Sequence, residues 1–174
     1  MSGLNTLRDL FEDELRDLYD AEKQIVKALP KMIKAAGNEP LRSALEMHLD
    51  ETRGHIERLE RVFESIDVRP RGKHCAGMAG ILEEGSDLLD EEGEEAVLDA
   101  AFIAAAQRVE HYEITAYGSL MAWAKVLGLS DARSLLEENA QEEKAADEKL
   151  SELAEAGINQ VAAAGQEVAA VRRK

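Results

Sequence analysis

One apolar pattern recurs along this chain and leaves few folds open. Phe11, Leu15, Leu18, Glu22, Ile25, Leu29, Met32 and Ala36 alternate steps of four and three. That spacing turns one face of an α-helix toward a common core, the seam of a helical bundle. It predicts a first helix from Thr6 to Ala36, with one intruder on its buried stripe, Glu22. Pro30 is expected to kink or interrupt this helix, because it lacks an N–H and its ring crowds the preceding turn. Gly37 and Asn38 end the helix, and Pro40 stands in the first turn of the next.

The pattern returns three times. From Pro40 to Ile66 the stripe is Leu45, Leu49, Thr52, Ile56, Leu59 and Phe63, with His48, Glu51 and His55 along one edge. A third helix is predicted from Glu95 to Leu127, with Gly128 and Ser130 as stop and restart. A fourth runs from Asp131 to Ala156 and stops at Gly157, on the stripe Ala132, Leu136, Asn139, Glu143, Ala146, Leu150 and Leu153. Between the second and third lie Pro70, Gly72, Gly77 and Gly80, then a short acidic helix expected over 83–92. This stretch reads as a crossover connection inside one domain. The expectation is therefore an all-α, antiparallel four-helix bundle over residues 1–157, followed by an Ala-rich tail, 158–174, with a basic end. Short loops within each helical pair make those partners antiparallel.

With 45% hydrophobic but only 4% aromatic residues, the core must be built mainly from Leu, Ile, Val, Ala and Met. The formal net charge of -15 repels phosphates and anionic lipid, so neither nucleic acid nor membrane is expected as a partner. Cys75 is the single cysteine, which excludes an internal disulfide and fits a reducing compartment. With no apolar run long enough to span a bilayer, the expected location is cytoplasmic.

Each predicted long helix also carries carboxylates toward the core near its middle. These are Glu22, then Glu51 with His55, then Glu110 and Glu113, then Glu143 with Asp147. An unpaired buried carboxylate is costly, and several together raise one another's pKa. Two metal ions would resolve the conflict, with carboxylates bridging them and an imidazole adding a nitrogen suited to iron. Each piece has a plainer reading. Glu22 could pair with Lys or Arg, Tyr117 could be a core aromatic, and Gln107 and Asn139 could hydrogen-bond across the bundle. His74, Cys75 and Met78 in KHCAGM hint at soft-metal ligation, but their spacing matches no standard site.

Five stretches, LYDAEKQIVKALPK, HLDETRGHIERLERVFE, KHCAGMAGILEEG, IAAAQRVEHYEITAYGSL and EENAQEEKAADEKL, together resemble the YciF/YciE-type ferritin-like family of bacterial stress proteins. The resemblance spans residues 5–157. It implies a ferritin-like bundle, a homodimer and a metal-binding di-iron centre, with manganese as the alternative. It also implies ferroxidase or peroxide-consuming chemistry, with oxygen or peroxide as oxidant, in a stress response. The wider rubrerythrin and ferritin superfamily has a Glu on its first helix, matched by Glu22, and Glu-x-x-Glu on its third, matched by Glu110 and Glu113. Its second helix carries Glu-x-x-His. Here Glu51 is followed at that spacing by Gly54, with His55 one residue later. Its fourth carries Glu followed by His, where this chain has Glu143 and Asp147. The implied ligand set is thus poor in imidazole. A non-enzymatic bundle, its metal site structural or vestigial, is the competing reading.

Overall fold

The computed structural model describes residues 3–164, and among them every regular element is helical. α1 spans Leu7–Ala35 and opens on a capping box. The Thr6 hydroxyl accepts from the Asp9 N–H at 3.1 Å, while the Asp9 carboxylate accepts from the Thr6 N–H at 2.9 Å. α1 is not interrupted at Pro30, which lies within it. Pro30 is solvent-exposed, where water can serve the carbonyl that its missing N–H leaves free. α2 spans Glu39–Ser65 and is capped by the Asn38 side chain, which accepts from the Leu41 N–H at 3.0 Å.

The crossover helix, α3, spans Ala76–Asp87 and not 83–92. Cys75 is its N-cap, its sulfur accepting from the Met78 N–H at 3.3 Å, and Met78 and Gly85 are its buried residues. The acidic stretch at 90–95 is exposed. Its charges stay hydrated, while the apolar residues before it supply the face that packs. α4 spans Glu95–Leu127 and ends at Gly128, whose φ of 71 is the left-handed conformation a glycine reaches without strain. α5 spans Ser130–Leu153 and passes into a π-type turn, Ala154–Ile158, then on through 159–164. Gly157, expected as a stop, is instead a bend, and Ile158 beyond it is buried in the core. The basic end of the tail lies outside the described residues.

The four long helices form a closed ring: α1 packs on α2 and α4, and α5 packs on those same two. α1 and α4 run antiparallel, since Asp17 meets Tyr112 at one end while the loop residue Gly37 meets Asp99 at the other. α2 and α5 do likewise, with Arg58 opposite Asn139 and His48 near Lys149. α3 lies across α1 and α4 as a cover. Asp99 locks the register by accepting from the Gly37 and Asn38 N–H groups at 2.9 and 2.8 Å. No described helix is long and apolar enough to cross a membrane.

Candidate metal centre

The middle of this ring is polar. Glu22, His55, Glu113 and Glu143 are fully buried; Glu110 and His48 are nearly so. They form two groups in which one ligand atom from each residue lies within 4.8 Å of the others: Glu22, His55, Glu113 and Glu143, and His48, Glu110, Glu113 and Glu143. Glu113 on α4 and Glu143 on α5 belong to both. Call the first group position one and the second position two. Each has its own carboxylate and its own imidazole, and the two share a pair of carboxylates. This is the arrangement a dinuclear ion site needs: shared oxygens between, terminal ligands outside.

The hydrogen-bond census supports that fit. Glu22 Oε2, both oxygens of Glu113 and of Glu143, Glu110 Oε2, His55 Nδ1 and both nitrogens of His48 are buried with no hydrogen-bond partner. Buried polar atoms are almost always satisfied, so orphaned atoms converging on one spot suit a bound cation. His55 Nδ1 lies 2.7 Å from Glu143 Oε1 and 3.5 Å from Glu22 Oε1, and His48 Nε2 lies 3.3 Å from Glu110 Oε1.

Protons respond to the same crowding. Burial, reinforced by Glu143, pushes Glu110 well above the usual carboxylate range, and burial with the charges of Glu143 and Glu22 does so for Glu113. Burial also acts to raise Glu143, but contacts with His55 and Glu110 outweigh it and hold the group below its ordinary value. For His55 burial disfavours the cation, yet Glu143 and Glu22 overcome it and raise the pKa to about 10. Burial and crowding thus favour the protonated forms of Glu110, Glu113 and His55.

Around position one the supporting contacts are dense. His55 Nε2 meets Glu142 at 2.8 Å, and Arg58 bonds the same Glu142 oxygen and the Asn139 side-chain carbonyl. Asn139 Nδ2 donates to the Tyr117 hydroxyl at 2.8 Å, and that hydroxyl donates to Glu22. Arg58 therefore steadies both residues specific to position one, Glu22 through one arm and His55 through the other. A carboxylate behind a ligating imidazole is the usual way to fix ring orientation.

Glu51 and Asp147 stand beside these groups and are not members of them. Glu51 is one residue off the buried face of α2. Its carboxylate is 3.9 Å from His48 Nδ1 and borders a small opening between α2 and α5, with Glu110 and Lys149 nearby. The residue in register with His55 at the Glu-x-x-His spacing is Thr52, fully buried, its hydroxyl donating to the His48 carbonyl at 2.6 Å. Asp147 is half-buried and engaged elsewhere, accepting from Gln107 Nε2 at 3.0 Å and lying 3.2 Å from His111 Nε2. The residue missing from the predicted set is His48. With it the groups hold four carboxylates and two imidazoles, so the expected shortage of imidazole gives way to the donor count of a standard di-metal bundle. In KHCAGM, His74 is exposed, while the Cys75 sulfur sits 3.0 Å from the Tyr112 hydroxyl, which donates to Asp17. This segment fastens the crossover to α1 and α4.

The sequence matches the family described as a domain of unknown function (DUF892) over residues 6–163. It is 44% identical over 161 residues to Protein YciF of Escherichia coli (strain K12), covering 92% of this chain and 97% of that one. The crystal structure of the E. coli stress protein YciF superposes with a TM-score of 0.86, covering 89% of this chain and 98% of that one. The structure of YcfI from Rhodopseudomonas palustris, 47% identical, gives 0.83 over 85% of this chain and 94% of that one. At 22% identity, a protein from Xanthomonas campestris pv. campestris shares the fold, with a TM-score of 0.70 over 92% of this chain and 99% of that one. The all-α bundle and its crossover are thus those of solved relatives, and the chain belongs to the DUF892 family, the family of YciF.

Proposed function

We propose that this chain is a di-metal carboxylate protein of ferroxidase or peroxide-consuming type, acting, like the stress protein YciF, in a stress response. The observation that carries the reading is the pair of four-residue groups sharing Glu113 and Glu143. Two bound iron ions would supply the redox chemistry toward oxygen or peroxide. The chain's own residues would do the rest. Glu113 and Glu143 would serve both ions, with Glu22 and His55 completing one set and Glu110 and His48 the other. Glu142 holds the His55 ring and Tyr117 holds Glu22, while the aliphatic core keeps bulk water out. Glu51, at the opening between α2 and α5, offers cations an acidic way in. Four carboxylates with two imidazoles suit manganese as well as iron, so manganese remains the alternative. A homodimer in the cytoplasm completes the proposal.

A second reading has one observation in its favour. The centre draws ligands from all four long helices, so an ion there could act only as a staple. One series separates the two. Purified protein is incubated with Fe(II) or Mn(II), freed of loose ions and assayed for metal. About two ions per chain are expected, near none in the Glu113→Gln/Glu143→Gln double variant, and an unchanged content in Glu51→Gln. Fe(II) oxidation under oxygen or peroxide is then followed by absorbance. Metal retained without turnover favours the staple; no specific metal at all removes the di-metal reading.

A further inference from the structure

At the end of the bundle where α1 turns into α2, the starts of α2 and α4 meet the end of α5. Between them lies a cavity of about 330 Å³, and none of its lining residues belongs to the metal groups. Its walls are apolar, with Pro40, Leu153, Ile158 and Val161 among them. The bend at Gly157 brings the last two there, past the end of α5. Two carboxylates line it as well, Glu95 and Asp99, one turn apart on one face of α4. Gly37 makes room for the first of them: a Cβ there would stand 2.1 Å from the Glu95 Cγ. Asp99 is 2% exposed, and its two oxygens accept from the Gly37 and Asn38 N–H groups. A carboxylate oxygen has a second lone pair, so each can still accept from a ligand.

Apolar walls with a few convergent polar groups are the mark of an organic-ligand pocket, and the volume falls in the usual range of about 300–1,000 Å³. Charge narrows the class. The N-termini of α2 and α4 bring roughly +0.5 each, and the two carboxylates outweigh them. The exposed acidic stretch Asp90, Glu91, Glu92 and Glu94, immediately before Glu95, deepens the negative field. An organic anion is therefore repelled. A metal ion is poorly served too, because two carboxylates against aliphatic walls are too few oxygens to replace its water. An alkylammonium ion satisfies both halves of the cavity. Its head has only donors, which match groups that only accept, and its hydrocarbon chain covers apolar walls. We infer that this cavity binds a small aliphatic amine as its ammonium ion. The –NH3+ head lies between Asp99 and Glu95, and the chain lies along Leu153, Ile158 and Val161. The site is independent of the metal centre.

The test uses full-length protein with hexylammonium as probe and hexanol and hexanoate as comparators, by ligand-observed NMR at physiological salt. Hexylammonium is expected to bind about tenfold or more tightly than hexanol, as a charge-assisted hydrogen bond would give, and hexanoate not to bind. Glu95→Gln should weaken it about fivefold or more, as loss of one of the two charges would give. Glu83→Gln/Glu84→Gln removes more charge from exposed positions on α3 and should leave it unchanged. Ala156→Leu fills the cavity from the wall opposite α4, at an exposed helical position, and should weaken binding about tenfold or more. Ala96→Leu fills it from α4 and serves if Ala156→Leu misfolds. No binding, equal binding of the three probes, or binding unaltered in the filled variants overturns the inference. So does an equal loss in Glu83→Gln/Glu84→Gln, which would reduce the effect to diffuse attraction by an acidic surface. So does binding that emerges only in Arg172→Ser/Arg173→Ser/Lys174→Ser, which would make the chain's own basic end the occupant.

Discussion

His55 Nε2 meets Glu142, while its Nδ1 faces Glu143 and Glu22. In the metal-free protein the ring carries a proton up to about pH 10, although burial alone would remove it. A pKa raised on folding stabilises fully below the unfolded value, about 6.5 for histidine, and that stability is lost as pH climbs through the folded value. Glu110 and Glu113, also raised, act in the same direction, their share lost as pH rises above the ordinary carboxylate range. The metal-free protein should therefore lose stability between about pH 6.5 and 10, with a slope approaching about 1.4 kcal/mol per pH unit for one proton. Denaturant unfolding across that window checks this, and His55→Gln should flatten the slope. Stability that is level or rising in the metal-free protein would refute it. With metal present the protons must leave for the ions to bind, so the apparent affinity should rise with pH. The missed candidate, His48, belongs to this scale. His48, Thr52 and His55 sit at i, i+4 and i+7, one face of α2. The stripe through Thr52 is legible in the sequence, yet the carboxylate of that helix nearest the stripe is Glu51, one residue and about 100° away. Glu22 and Glu113, Thr52 and Glu143, and His55 and Ala146 stand at one common sequence separation. Thr52 thus occupies on α2 the place that Glu143 holds on α5.

At the scale of elements, the long helices were legible because each repeats its apolar step over about five turns or more, and boundaries fell within a few residues of those expected. The crossover was not, because a single short helix between two hairpins is placed by what it covers. The EEGSDLLDEE run looks helical in isolation, but Met78 and Gly85 are the residues α3 buries, so the helix lies earlier, over Ala76–Asp87. The contact joining the first hairpin to the second was equally invisible. Asp99 is a lone acidic residue on an apolar stretch of α4, and only packing reveals that it takes the Gly37 and Asn38 N–H groups. Asp99→Ala would leave two backbone donors without their charged acceptor, at a cost of about 2–3 kcal/mol. For a chain of this length that lowers Tm by about 5–10 °C. Calorimetry on the metal-free protein measures it directly. Metal content should persist, because Asp99 lies about three turns from Glu110; joint loss of stability and metal would mean that hairpin docking also shapes the centre.

On the scale of the whole molecule, the two positions share ligands but not surroundings. Position one is backed by two hydrogen-bonded arms that both end on Arg58, while position two borders a cleft between α1, α3 and α4 on one side and the Glu51 opening on the other. A ring of four helices with one crossover has no reason to treat its two sides alike, because α3 covers only the α1–α4 side. Two ions in such a bundle should leave at different rates. Metal-loaded protein challenged with excess chelator should lose its ions in two phases of similar amplitude, about tenfold or more apart in rate. The faster belongs to position two, so His48→Ala should abolish it and spare the slower. Arg58→Gln frees Glu142 and Asn139 without touching a ligand, and should quicken the slower phase by about 10- to 100-fold. A single phase in the unaltered protein, or a slow phase indifferent to Arg58, would mean that the shared carboxylates couple the ions so tightly that their different surroundings carry no weight.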